Sequence, residues 1–262
     1  MVYSRKQRKE FILKEIYRNG HVLVKELATE MNISEATVRR DLKTMADAQE
    51  LELIYGGATQ KRHADFSFST KNILHAEAKQ KVGELAATLI NDGDQIFLDS
   101  GTTTFQMASL MKGKRSLSVI ANSTRLTEAL SAIPDINIIM LGGQYRVDRM
   151  DTVGPLAMEA MEQLRGYRAF IGTDGVSMDF GLTASDIESA HLFRLVVRHA
   201  KETILVMDHS KFEAPSLYKI VDWESIATVV TDLTPTPEWQ DFFKANKVSL
   251  VTPDFNINNS ET

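Results

Sequence analysis

The 262 residues are 43% hydrophobic and 25% charged, close to soluble globular averages, which excludes a fibrous or disordered chain. There is no cysteine, hence no disulfide and no thiolate metal site, and no apolar run reaches the roughly 18 residues of a bilayer span. The net charge of −5 conceals a gradient: residues 1–62 hold 12 Lys or Arg against 9 Asp or Glu, and the remainder 18 against 26, so any nucleic acid is expected at the front.

The start, MVYSRKQRKEF, lacks the apolar middle of a signal peptide, and a cytoplasmic protein without membrane contact is expected. RKQRKEFILKEIYRNG predicts a helix with Phe11, Ile12, Ile16 and Tyr17 on one side, stopped at Asn19-Gly20. LVKELATEM predicts a second short helix, with Leu23, Leu27 and Met31 at four-residue steps. Asn32-Ile33 turns the chain, and Ser34 is placed to cap a third helix whose Glu35 faces the positive dipole end. At 100° per residue, Val38, Leu42 and Met45 share one side of that helix, while Ala36, Arg40, Lys43 and Asp47 lie opposite, flanked by Thr37, Arg39 and Thr44. LELIYGGAT predicts a strand, a Gly-Gly turn and a return strand.

Two short helices, a cap, outward cations and a hairpin make a winged helix-turn-helix over residues 1–58, whose third helix would enter the major groove of double-stranded operator DNA. The expected DNA-binding residues are Ser34, Ala36, Thr37, Arg39, Arg40 and Lys43. Arginine forms a bidentate pair with guanine, hydroxyls reach phosphate or base, and a small Ala permits close approach. For these residues in isolation, a solvated amphipathic helix is the plainer explanation. Residues 59–70, TQKRHADFSFST, show no period and are expected to be a linker.

Residues 71–262 alternate helices with apolar strands: a helix at about 71–90, then QIFLDS, LSVIAN, INIIMLGG, RAFIGTDG and TILVMDHS. This predicts an α/β domain with a mostly parallel sheet covered on both faces, with ligands at the carboxyl ends of the strands. In FLDSGTTTFQM a strand runs into Asp99, Ser100, Gly101, Thr102, Thr103 and Thr104 before a helix, a loop suited to phosphate; equally, it is a strand-to-helix turn with a threonine cap. It has neither the Gly-Lys-Thr of an ATP loop nor a dinucleotide G-x-G-x-x-G, so no cofactor is expected. Asn122, Ser123, Gly142, Gly143, Asp174, Gly175 and Lys211 fall at the same rim, and Lys79 lies on a helix that would reach it. Lys211 would neutralise an anion, and Asn122 and Asp174 would bond sugar hydroxyls. His21, His63, His75, His191, His199 and His209 show no metal-ligand spacing, so no metal site is expected. Met107, Met111, Trp223 and Trp239 are expected in the core, and NINNSET as a frayed tail.

VKELATEMNISEATVRRDL followed by YGGA at 55–58 resembles the DeoR family of bacterial transcription regulators, and the similarity extends over essentially the whole chain. The resemblance implies a ribose-5-phosphate isomerase-like ligand domain over residues 71–262 and a phosphorylated sugar or sugar-like effector at DSGTTT. It also implies repression of carbohydrate genes that the effector relieves. Where family members often carry a basic residue two before the aromatic position of this motif, the chain has Leu53, followed by Ile54, which removes the basis for a phosphate contact from the wing. Against the isomerase, TDGVSMDFGLTASD keeps Asp174 but has Ser177 in place of its second Asp and Phe180 before a single Gly181 in place of a Lys before several glycines; Ser185 falls near its Glu, with Asp186 and Glu188 close by. Without a positioned base, proton transfer loses about 10²–10⁴-fold, so binding without turnover is expected. Paired operator half-sites call for a homodimer or homotetramer. Two other readings stand at this point: a sugar-phosphate isomerase with a vestigial front, and a regulator whose front domain contacts protein.

Overall fold

A computed structural model of the chain describes residues 3–48, 50–59 and 68–256, without the side chains of Tyr17, Arg18, Ser69, Phe255 and Asn256. The expectations for Tyr17, for His63 and most of the linker, and for residues 257–262 therefore lie outside the described residues. Two compact units divide at Leu74/His75.

The first unit runs α1 (Arg5–Asn19), β1 (His21–Leu23), α2 (Val24–Met31), α3 (Glu35–Asp47), β2 (Glu52–Ile54), β3 (Gly57–Thr59) and α4 (Phe68–Ile73). Ser4 and Gln7 form a reciprocal capping box at the start of α1, and Gly20 ends it in the left-handed region at φ 76°. Ile12, Leu13 and Ile16 are buried with Val24, Leu27, Met31, Val38, Leu42 and Met45, so three helices share one core. Leu23 departs from expectation: it is exposed, ends β1, and leaves the inward position to Val24. The strand β1 forms only because β3 pairs with it from 34 or more residues away, with Val22 opposite Ala58 and Leu23 opposite Gly57. A Cβ on Gly57 would sit 1.9 Å from the Val22 carbonyl oxygen, so this hairpin position accepts only glycine. The expected linker is shorter at both ends, since Thr59 lies in β3 and helix α4 begins at Phe68.

The second unit contains α5 (Ala76–Thr88), β4 (Gln95–Leu98), α6 (Thr102–Phe105), β5 (Leu117–Ala121), α7 (Thr124–Ser131), β6 (Ile136–Met140), β7 (Gln144–Arg146), β8 (Asp151–Val153), α8 (Pro155–Glu162), β9 (Arg168–Ile171), β10 (Gly175–Ser177) and β11 (Gly181–Ala184). It continues with α9 (Ile187–His199), β12 (Glu202–Val206), β13 (Tyr218–Val221), β14 (Thr228–Val230), α10 (Pro237–Ala245), β15 (Ser249–Thr252) and β16 (Phe255–Asn256). The single helix expected near 71–90 is two, broken where His75 adopts φ 53°. The sequence there holds neither Gly nor Pro to signal the break.

The main sheet has the order β16-β15-β14-β12-β9-β4-β5-β6, parallel throughout except for β16. Successive side chains on a strand point to opposite faces, and the two cores show it: Phe97 enters one cluster with Val196, Trp239 and Phe243, and its neighbours Ile96 and Leu98 enter the other with Val82, Met107, Met111 and Leu126. From β4 the chain winds outward through β5 to β6, then returns beside β4 as β9 and winds the other way. The switch point therefore lies between the carboxyl ends of β4 and β9, where open α/β sheets hold their ligands.

Candidate functional site

Helix α3 is built as its pattern dictates. The Ser34 Oγ accepts the Thr37 backbone N–H at 3.2 Å and lies 2.9 Å from the Thr37 hydroxyl, so both expected hydroxyls are engaged in the cap. Ala36, Arg39, Arg40 and Lys43 are exposed on the outer side, opposite the buried Val38, Leu42 and Met45. Arg39 pairs with Glu35 one turn back at 3.0 Å, while neither Arg40 nor Lys43 has an ion-pair partner among the described residues. Asp41 was not anticipated. Buried beside Leu42, it accepts a forked pair from Arg8 (Nε at 2.6 Å, Nη2 at 3.2 Å), tying α3 to α1. That hydrogen bond holds the Arg8 guanidinium's pKa above its ordinary value. At the wing, Leu53, Ile54 and Tyr55 are exposed and no Lys or Arg occurs from Leu51 to Thr59.

At the rim, several expected ligand groups are occupied internally. Asp99 is buried and takes N–H bonds from Gly101 (3.0 Å) and from Gly172 across the switch point (2.7 Å), together with the Thr104 hydroxyl. Burial pushes its carboxyl pKa up, with these three bonds opposing and the charge of Asp174 adding to the rise. Asp99 and Thr104 thus shape the loop, leaving Thr102 and Thr103 at the start of α6. Ser123 is the N-cap of α7, accepting the Leu126 N–H at 3.3 Å. Gly175 is pressed on the chain at Ala214, whose carbonyl oxygen would lie 1.7 Å from an added Cβ. Gly142 and Gly143 form the turn into β7. Asp174 accepts both the N–H and the hydroxyl of Ser185 through Oδ2, at 2.8 and 2.7 Å. Asn122 is fully buried; its Nδ2 donates to the Thr152 carbonyl at 3.0 Å, and its Oδ1 accepts no hydrogen bond among the described residues.

A charged cluster sits at the carboxyl end of β12. Lys79 is 4% exposed and Asp208 fully buried, and the Asp208 Oδ2 also lacks a hydrogen-bond donor among the described residues. Burial works against the Asp208 charge, but Lys211, the Ser210 hydroxyl, Lys79 and His75 outweigh it and hold its pKa below the ordinary value. His209 is fixed by Asp232, through Nδ1 at 2.8 Å and its backbone N–H at 2.7 Å, and packs edge-on against His75 with centroids 5.5 Å apart.

Two family descriptions match this chain, a DeoR-like helix-turn-helix domain over residues 8–63 and a DeoR C-terminal sensor domain over residues 74–233. The chain belongs to the DeoR family of transcription regulators. Among its relatives are the HTH-type transcriptional regulator IolR of Bacillus subtilis, 28% identical over 90% of this chain and 94% of that protein, and the uncharacterized regulator FruR of the same organism, 31% identical over 94% and 98%. The lactose phosphotransferase system repressor of Lactococcus lactis is 30% identical over 92% and 96%. Solved structures with partial likeness include a D-ribose-5-phosphate isomerase in complex with phospho-erythronic acid (19% identity, 52% of this chain and 54% of that one, TM-score 0.39). The translation initiation factor eIF-2B of Pyrococcus horikoshii is another (14% identity, 88% and 90%, TM-score 0.44).

Within this DeoR sensor domain, two arginines outside the expected site residues organise the rim. Arg146 forks Asp151 (Nε at 2.8 Å, Nη2 at 2.7 Å) and reaches Asp186 at 2.8 Å; Arg149 pairs with the other oxygen of Asp186. The Ser100 hydroxyl donates to Asp151 at 2.9 Å, so this network runs from the DSGTTT loop through the β7–β8 hairpin to the start of α9. For Asp186, burial opposes the charge, yet the Ser189 N–H and both guanidiniums pull its pKa below the ordinary value. The signal was the alternation in YRVDRMD, where each charge lies within five residues of an opposite one. Among the described residues, no helix is long and apolar enough to cross a membrane, and no cluster of metal-ligating side chains occurs.

Proposed function

We propose that α3 reads operator DNA through Arg40 and Lys43, with Ala36, Thr37 and Arg39 beside them and Ser34 at the phosphate-facing end, and that the sensor unit binds a phosphorylated sugar or sugar-like effector at the switch-point rim. The observation that carries the effector reading is that the rim holds two buried acceptor oxygens, Asn122 Oδ1 and Asp208 Oδ2, that accept nothing from the protein described, with the cations Lys79 and Lys211 close enough to Asp208 to lower its pKa. A buried acceptor without a donor costs free energy, and a polyol hydroxyl supplies that donor, while the positive charge of the two lysines favours an anionic group such as phosphate at the same rim. Thr102, Thr103 and Gly101 line the approach, and Asp99, Ser100, Thr104, Ser123, Gly142, Gly143, Asp174 and Gly175 hold its walls.

Turnover is not part of this reading. Asp174 is tied by Ser185, and Ser177 accepts the Phe180 N–H at 3.3 Å, so neither is poised for proton transfer between sugar carbons. The protein acts in the cytoplasm as a homodimer or homotetramer on paired half-sites, without a cofactor, and effector binding relieves repression of carbohydrate genes. The relatives' names, among them a lactose phosphotransferase system repressor, support this direction.

The test is a thermal-shift screen of phosphorylated sugars on the full chain, followed by footprinting upstream of its own transcription unit with and without the best compound. A stabilising compound that releases the footprint, and that Lys211→Gln no longer recognises, supports the reading. Pentose-phosphate isomerisation abolished by Asp174→Asn would replace it with the enzyme.

A further inference from the structure

We propose that two copies of the chain associate by pairing their β6 strands edge to edge. This rests on the oligomeric reading above and assigns it a surface. β6 is the last strand on its side of the sheet: β5 pairs along its inner side, and no strand pairs along its outer side among the described residues. At the far end of the sheet the outermost strand, β16, is instead the return arm of an antiparallel pair with β15.

Backbone bonding alternates along a parallel strand. Because the Leu141 N–H donates to the Ala121 carbonyl, the odd-numbered residues face β5 and the N–H and C=O groups of Ile136, Ile138 and Met140 face outward. Proteins guard such an edge with charges, proline or a bulge. INIIM has no charge and no proline, and its register with β5 is unbroken. Its Ile139 and Met140 side chains are 37% and 41% exposed, and the hairpin that follows exposes Tyr145 and Val147.

The occupant is a second copy for two reasons. A strand paired antiparallel with itself about a two-fold axis at Ile138 offers every outward donor the matching acceptor, the self-complementary contact that closed dimers use. The body behind it is acidic, with 26 Asp or Glu against 18 Lys or Arg over residues 63–262, so self-association is least opposed through a neutral patch. The strand alone is small beside the ~800 Å² per partner of a stable interface, so side chains flanking it must add to the contact.

Size-exclusion chromatography with light scattering on the full chain tests this, comparing wild type with Ile139→Lys/Met140→Lys. Because the chain has no cysteine, Ile138→Cys adds an independent readout under mild oxidation, with Lys201→Cys, at an exposed position just before β12 and so four strands from β6 in the sheet order, as control. The expected result is a wild-type mass at least twice that of one chain, a mass halved in the double-lysine variant, and covalent dimers from Ile138→Cys but not Lys201→Cys. A monomeric wild type overturns this proposal together with the oligomeric reading. An oligomeric wild type whose mass the lysines leave unchanged, with no Ile138→Cys crosslink, overturns the surface alone. If the lysine variant does not fold, the crosslink decides.

Discussion

Arg146→Leu is the sharpest perturbation of the sensor domain. It strips Asp151, whose side chain is 2% exposed, of two short charge-assisted hydrogen bonds and leaves it, among the described residues, only the Ser100 hydroxyl at 2.9 Å. Asp186 keeps Arg149, so the loss concentrates on one buried carboxylate. Removing one partner of a buried pair costs about 3–5 kcal/mol. At about 2–4 °C per kcal/mol for a domain of this size, the sensor transition should fall by roughly 6–20 °C in differential scanning calorimetry. Arg146→Leu/Asp151→Leu removes the orphaned charge as well and should recover much of the loss, because replacing both partners of a buried pair with apolar groups is often close to neutral. A Tm for the single variant within about 2 °C of wild type, or a double variant no better than the single, would refute the reasoning that burial, not the mere presence of a salt bridge, sets the magnitude.

Three further outcomes follow from the same structure. Arg40→Ala should weaken specific operator binding by about 1–3 kcal/mol and relax base preference, whereas Lys43→Ala, if it meets phosphate, should lower the salt slope by about one; titrations at several salt concentrations separate the two, and unchanged curves for both would remove α3 from the interface. Asp99→Asn should destabilise the sensor unit by about 1–3 kcal/mol, since an amide offers one acceptor oxygen and a clashing NH₂ where three donors converge; urea unfolding measures it. His75 has its pKa lowered, first by burial, then by Lys79, His209 and Lys211 against the opposing Asp208. The neutral ring is therefore favoured in the fold, and its contribution to stability is present above the unfolded value of about 6.5 and lost as pH falls through the folded one. His75→Asn, which tolerates the left-handed backbone, should flatten the fall in Tm between about pH 7.5 and about pH 5; an unaltered slope would exclude His75 as its source.

What the chain determined by itself is whatever depends on near neighbours. The 3.6-residue period set the buried and exposed sides of α3, Ser34 set where that helix starts, and uninterrupted apolar runs closed by small polar residues marked the strands and their carboxyl ends, because each of these follows from backbone geometry within a few residues. What only the tertiary structure decided depends on partners far along the chain. Asp41 meets Arg8 across 33 residues, Asp186 meets Arg146 across 40, and the Gly172 N–H meets Asp99 across 73. Whether a rim hydroxyl or carboxylate is engaged internally turns on such bonds, as Asp99, Thr104 and Ser123 show: by sequence they are ligand candidates, and in the fold they hydrogen-bond within the loop and helix at the rim. The break at His75 and the strand β1 belong here too: neither carries a local signal, and in β1 it is pairing with a strand distant in sequence that holds the extended backbone.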